Sequence, residues 1–89
     1  MSDNPQGRMP VPTFSTFVLS LASAAMVQLG EVPDPASGET SEDIELARHS
    51  IDTLSMLKVK TENGLDEEEK RLLDGLLYEL RLKFVIRKK

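Results

Sequence analysis

From Thr13 to Gly30 the chain reads TFSTFVLSLASAAMVQLG, a run with no charge in a protein whose residues are otherwise 29% charged. This run constrains the fold more than any other segment. A helix made from it is too apolar to rest on water by one narrow edge, so something must cover it. The candidate covers are the rest of the chain, a second copy of it, or a membrane.

At about 100° per residue the run divides into two unequal faces. Thr13, Thr16, Ser20, Ser23 and Val27 share one stripe, while Phe14, Phe17, Val18, Leu21, Ala22, Ala25, Met26 and Leu29 fill a broad apolar arc. The small stripe suits a water-facing side whose hydroxyls bond back to the preceding turn. It also suits a seam at which another helix approaches closely.

With 89 residues, 39% of them hydrophobic, the chain makes one domain with a modest core. Domains of this size often gain stability from disulfides, metals or oligomerisation. There is no cysteine, which excludes disulfides and thiolate zinc sites and leaves oligomerisation as the simplest of the three. A formal charge of −4 argues against a general nucleic-acid binder. Arg81, Lys83, Arg87, Lys88 and Lys89 nevertheless crowd the carboxyl end. Cations near a helix C-terminus are favoured by the dipole at ~0.3–1 kcal/mol each, so a solvated tail accounts for them more simply than a patch for RNA, DNA or anionic lipid.

Residues 1–12, MSDNPQGRMPVP, hold three prolines and no apolar period, and read as a disordered arm outside the fold. Thr13 is the N-cap of a first helix, about 13–29, and Gly30 fits the position after its end because glycine accepts positive φ. The loop 30–40 carries Pro33, Pro35 and Gly38, which cannot continue a helix. A second helix, about 41–62, starts near Thr40 or Ser41 with Glu42 and Asp43 in its first turn. Ile44, Ala47, Ile51 and Leu54 form its main apolar stripe, Leu46 and Leu57 flank it, and Glu45, Arg48, His49 and Asp52 make the polar face.

Asn63-Gly64 closes the second helix, with Leu65 folding back on Val59. Asp66 with Glu69 is an acidic variant of the capping box, and it opens a third helix, about 66–85. Leu72, Leu73, Leu76, Leu77, Leu80 and Phe84 build one strong face. Tyr78, Leu82 and Val85 make a second stripe on the far side. A helix with two apolar faces calls for two neighbours. Residues 86–89 form a basic tail.

The fold class is therefore all-α: three helices, the second and third in an antiparallel hairpin across a short turn, with apolar helix one packed across it. Helix one and the doubly apolar helix three carry more apolar surface than one hairpin face can cover. A dimer, through exchange of helix one or pairing of helices three, buries the excess. The candidate self-association residues are Phe14, Phe17, Leu21, Tyr78, Leu82 and Val85.

The sequence carries no signature of chemistry. Lone His49 has Glu45 and Asp52 on its side of a helix, but three ligands on one helix do not close a metal site unaided, and a solvated face with ion pairs such as Arg48 with Asp52 is the simpler reading. Asp34 to Glu45 has the length of a calcium loop, yet Ala36 and Gly38 stand where oxygen ligands are needed. Phosphate-cradling glycine loops and nucleophile elbows are missing, so no catalytic, cofactor-binding or metal residue is assigned. Thr13 to Leu29 approaches the ~17–25 residues that span a bilayer, but serines, threonines and Gln28 dilute it. Ala22-Ser23-Ala24 resembles a signal-cleavage site, but the segment before it lacks a cationic lead.

The segments FSTFVLSLASAAMVQLGEVPDP, ELARHSIDTLSMLKVKT and LDEEEKRLLDGLLYELRLKFV resemble, in wording and order, the small bacterial family known as domain of unknown function 1844, over about Thr13 to Val85. The resemblance implies a bacterial, cytoplasmic, helical protein with no assigned activity, and it supplies no site residues. The resulting expectation is a non-enzymatic, self-associating helical module without cofactors. Another protein partner is open to it, and nucleic acid is disfavoured. The alternatives are a peripheral membrane or anionic-polymer binder acting through helix one or the basic end, and a small metal protein or enzyme centred on His49.

Overall fold

A computed structural model describes residues 12–88, and within them the chain is all-α. α1 is Phe14–Gln28, α2 is Ile44–Lys60 and α3 is Glu67–Lys88. Each of the three packs against the other two.

α1 begins where the sequence places its cap. The Thr13 hydroxyl accepts from the Thr16 amide at 3.0 Å, while the Thr16 hydroxyl accepts from the Thr13 amide at 3.0 Å. Two otherwise orphaned donors are thereby satisfied, an arrangement worth about 1 kcal/mol. At the other end the Gly30 amide donates to the Val27 carbonyl and the Glu31 amide to the Met26 carbonyl, both at 2.9 Å. Gly30 takes φ +79°, so this is the double-bonded glycine ending its position suggested.

α2 starts later than the sequence suggests. Thr40, Ser41 and Asp43 are all competent caps, and Asp43 takes the role: its carboxylate accepts from the Leu46 amide at 3.1 Å. The reason is tertiary. The Asp43 amide donates to the carbonyl of Gln28 at 2.8 Å, so the start of α2 is pinned against the end of α1. Glu42 then lies before the helix instead of in its first turn. Between the two helices, the Asp34 carboxylate accepts from the Ala36 amide at 2.7 Å and its carbonyl from Gly38 at 2.7 Å, which makes the proline-bearing loop an ordered one.

The end of α2 also differs from the expectation. The helix stops at Lys60, and Thr61 caps it, its hydroxyl donating to the Leu57 carbonyl at 2.7 Å. Among the described residues only Gly30 and Gly38 take positive φ, so Gly64 does not act as a left-handed cap. Val59 is exposed, and Leu65 is packed against the main core. Asp66 and Glu69 do form the reciprocal capping box, at 3.0 and 2.8 Å. α3 runs on through Lys88, so Ile86, Arg87 and Lys88 are helical, not a separate tail.

One apolar core joins the three helices. Val18, Ala22, Ala25 and Leu29 come from α1 and its cap, Ala47, Ile51 and Leu54 from α2, and Leu73, Leu77 and Leu80 from α3. Each buried leucine contributes roughly 1.5–3 kcal/mol by leaving water. Phe14, Leu21, Met26, Ile44, Leu76 and Phe84 pack partly buried around them. The small residues Thr16, Ser20 and Ser23 face solvent.

Side-chain contacts fix the order in which α2 meets α3. Lys58 Nζ lies 2.7 Å from Asp74 Oδ1, Arg81 donates to the Ser55 hydroxyl at 2.6 Å, and the Arg48 guanidinium sits over the Phe84 ring at 5.8 Å from its centroid. As residue numbers fall along α2, their partners rise along α3. The cation–π contact takes Arg48 where an ion pair with Asp52 was anticipated. Among the described residues, no helix is long and apolar enough to cross a membrane.

Candidate self-association surface

The register of α3 is set by its cap and its core. With Leu73, Leu77 and Leu80 turned inward, Tyr78, Leu82 and Val85 must turn outward, three and four residues apart on the opposite side. They are 69%, 49% and 55% exposed, and Ile86 beside them is 67% exposed. An exposed leucine alone would need no explanation, but four large apolar side chains in two turns form a patch.

The patch has a defined rim. Tyr78, Leu82 and Val85, with Leu77 at the floor, line an open groove of about 270 Å³ whose polar wall is Lys58, Asp74 and Arg81. Lys58 and Asp74 bridge α2 to α3 there, and Arg81 is held by Ser55. An apolar centre with a charged margin is the anatomy of a protein contact surface.

The other three candidates lie elsewhere. Phe14 and Leu21 are partly buried against the core, so much of their surface is already covered within the chain. Phe14 also walls a shallow depression with Val59, the α2–α3 turn and Glu69. Phe17 is 50% exposed, and with Leu19 it leaves part of the apolar arc of α1 facing outward. Ile86 was missed by the sequence reading because it was placed in the tail. The helix that continues through Lys88 brings it onto the patch.

The basic end of α3 is folded onto acids. Arg87 donates through Nε to Glu31 at 3.2 Å and through Nη1 to Glu42 at 2.8 Å, its Nη2 lies 3.1 Å from Glu31, and Lys83 lies 3.6 Å from Glu31. The hydrogen bond to Glu42 raises the Arg87 guanidinium above its ordinary pKa, desolvation opposes it, and the charge of Glu31 adds to the rise. His49 is exposed on α2, its carbonyl accepting the Thr53 hydroxyl at 2.8 Å. Among the described residues there is no cluster of three or more His, Asp or Glu side chains that could hold a metal ion.

Residues 11–86 match the model of a protein family described as Domain of unknown function (DUF1844), and the chain belongs to that family. No curated protein and no solved structure matches it.

Proposed function

We propose that the protein is a non-enzymatic helical interaction module of the bacterial cytoplasm. In this reading α2 and α3 act as an antiparallel hairpin that displays the outer stripe of α3, and the first partner is another copy of the chain. The observation that carries the reading is the exposure of Tyr78, Leu82, Val85 and Ile86 together on a helix whose opposite side buries Leu73, Leu77 and Leu80. Leaving them in water forgoes roughly 25 cal/mol for each Å² that a partner would cover. A small domain without disulfides has reason to recover that through association.

The competing reading, attachment to membranes or anionic polymers through the basic end, has less support. Lys83 and Arg87 already spend their charge on Glu31 and Glu42. Sedimentation velocity and light scattering at micromolar concentration test the proposal. A concentration-dependent dimer supports it. A monomer that exposes no hydrophobic surface to dye, or flotation with anionic vesicles that weakens with salt, counts against it.

A further inference from the structure

We infer that, if the module self-associates as proposed above, it does so by pairing two antiparallel copies of α3, with Gly75 of each copy receiving Val85 of the other and Tyr78 meeting Leu82. The inference starts from a glycine that the chain itself does not need. Gly75 lies inside α3, where glycine is a poorer helix former than alanine, and it is exposed. A methyl group placed there would meet nothing within 4 Å. No turn, positive φ or internal packing calls for a missing side chain at that point. A neighbour arriving from outside would.

The position of the gap says which neighbour. Gly75, Tyr78, Leu82 and Val85 follow one another at three, four and three residues, on one face of the helix. That spacing reads the same in both directions, so a twofold axis near Leu80 lays the stripe on itself. Residue 75 then stands opposite 85, and 78 opposite 82, small against large in each outer layer. This is the alternation a helix–helix seam needs.

Charge selects the same orientation. Residues 67–77 hold four acids and two cations, whereas residues 78–88, with Lys83 and Arg87 set aside because they face Glu31 and Glu42 of their own chain, hold one acid and two cations. A parallel pair would set like against like, while an antiparallel pair sets the acidic half of one helix on the basic half of the other. Near the twofold axis Glu79 and Arg81 would approach their own copies. Both are drawn aside, Glu79 toward Lys83 at 3.9 Å and Arg81 to Ser55 at 2.6 Å.

The protein has no cysteine, so single thiols can be introduced and spin-labelled without background. With a rise of 1.5 Å per residue, Lys70→Cys labels on two antiparallel copies should sit about 30 Å apart along the axis, and mixing Lys70→Cys with Lys88→Cys copies should add a much shorter distance. Short distances from Lys70→Cys alone would overturn the antiparallel pair and leave self-association standing. Gly75→Leu, which fills the gap without touching the chain's own core, should weaken dimerisation by at least about tenfold. An unchanged dimer would overturn the role of Gly75. Absence of any dimer in the unsubstituted chain would overturn this inference and the self-association reading together.

Discussion

Arg87 donates through Nη1 to Glu42 Oε2 across 2.8 Å, and that bond joins the last turn of α3 to the residue just before the cap of α2. Glu31, just past the end of α1, accepts from Nε of the same guanidinium at 3.2 Å. One side chain thus gathers the C-terminal end of α1, the approach to α2 and the C-terminal end of α3. The Glu42 bond raises the pKa of Arg87 in the fold, so its contribution is present through neutral pH and is lost only as pH climbs through the arginine's own titration. Deleting the guanidinium is therefore a better probe than titrating it.

Arg87→Met should accelerate amide exchange in the last turn of α3 and in the loop 30–43, while the core amides keep their order of protection. Arg71→Met removes a far more exposed pair, with Glu67 at 3.9 Å, and should leave both regions unchanged. Equal exchange in the two variants would show that the Arg87 contacts hold nothing in place.

Gly30 lies directly beneath this arrangement. Its φ is +79°, and an added methyl would come within 3.0 Å of Glu42 Cγ and 3.3 Å of both the Ser41 carbonyl oxygen and Arg87 Nη1. Gly38 has a similar φ of +75° but open space around it. Gly38→Ala should therefore cost only the left-handed backbone penalty, roughly 1–2 kcal/mol. Gly30→Ala adds a collision with a backbone oxygen and should cost clearly more in urea denaturation. Equal costs would mean that the contacts give way freely.

How much of this was legible depends on whether a residue's role is local. Thr13 with Thr16, Gly30, and Asp66 with Glu69 act within a few residues of themselves, and each is readable from its neighbours. The stripes Ala47, Ile51, Leu54 and Leu73, Leu77, Leu80 are equally local, because period alone defines them. Asp43 is different. Three candidate caps stood within four residues, and the choice fell to a bond with Gln28, fifteen positions away in sequence. The helical state of Ile86 to Lys88 goes with the Glu31 and Glu42 contacts of Arg87, so a reading of the chain end by itself took those residues for a tail. On α1 the charge-free run is apolar almost all round, so composition could not say that Phe17 and Leu19 would face outward while Val18 and Ala22 faced in. Of the candidate surface, Tyr78, Leu82 and Val85 followed from spacing, whereas Gly75 gained meaning only once its surroundings were seen to be empty.

Gln28 and Ser50 offer a test of how α1 is held on α2. The Ser50 hydroxyl donates to Gln28 Oε1 at 2.7 Å in a partly buried setting. Ser50→Ala leaves that oxygen without its donor and should lower unfolding free energy by about 0.5–1.5 kcal/mol. The Gln28→Ala, Ser50→Ala double variant should lose less than the sum of the two single changes, because each removes the same bond. Strict additivity in denaturant titrations would show that the contact does not couple the helices.

Core and surface leucines should separate folding from association. Leu54 has no exposed surface, so Leu54→Ala should cost about 2–5 kcal/mol of stability, through lost burial and the cavity left behind. Leu82 is 49% exposed in the single chain, and Leu82→Glu places its charge where water already reaches. That change should leave the helical content and the monomer's denaturation midpoint close to those of the parent, within about 0.5 kcal/mol. In a dimer built on the outer stripe of α3, however, the same carboxylate is forced against apolar side chains, and dissociation should follow. Tyr78→Glu should behave alike. The measurement is paired: thermal unfolding by circular dichroism beside sedimentation velocity on the same samples. Leu82→Glu that unfolds the chain would place this residue in the core instead of on an interface, and Leu82→Glu that folds and still dimerises would remove the outer stripe of α3 from the contact.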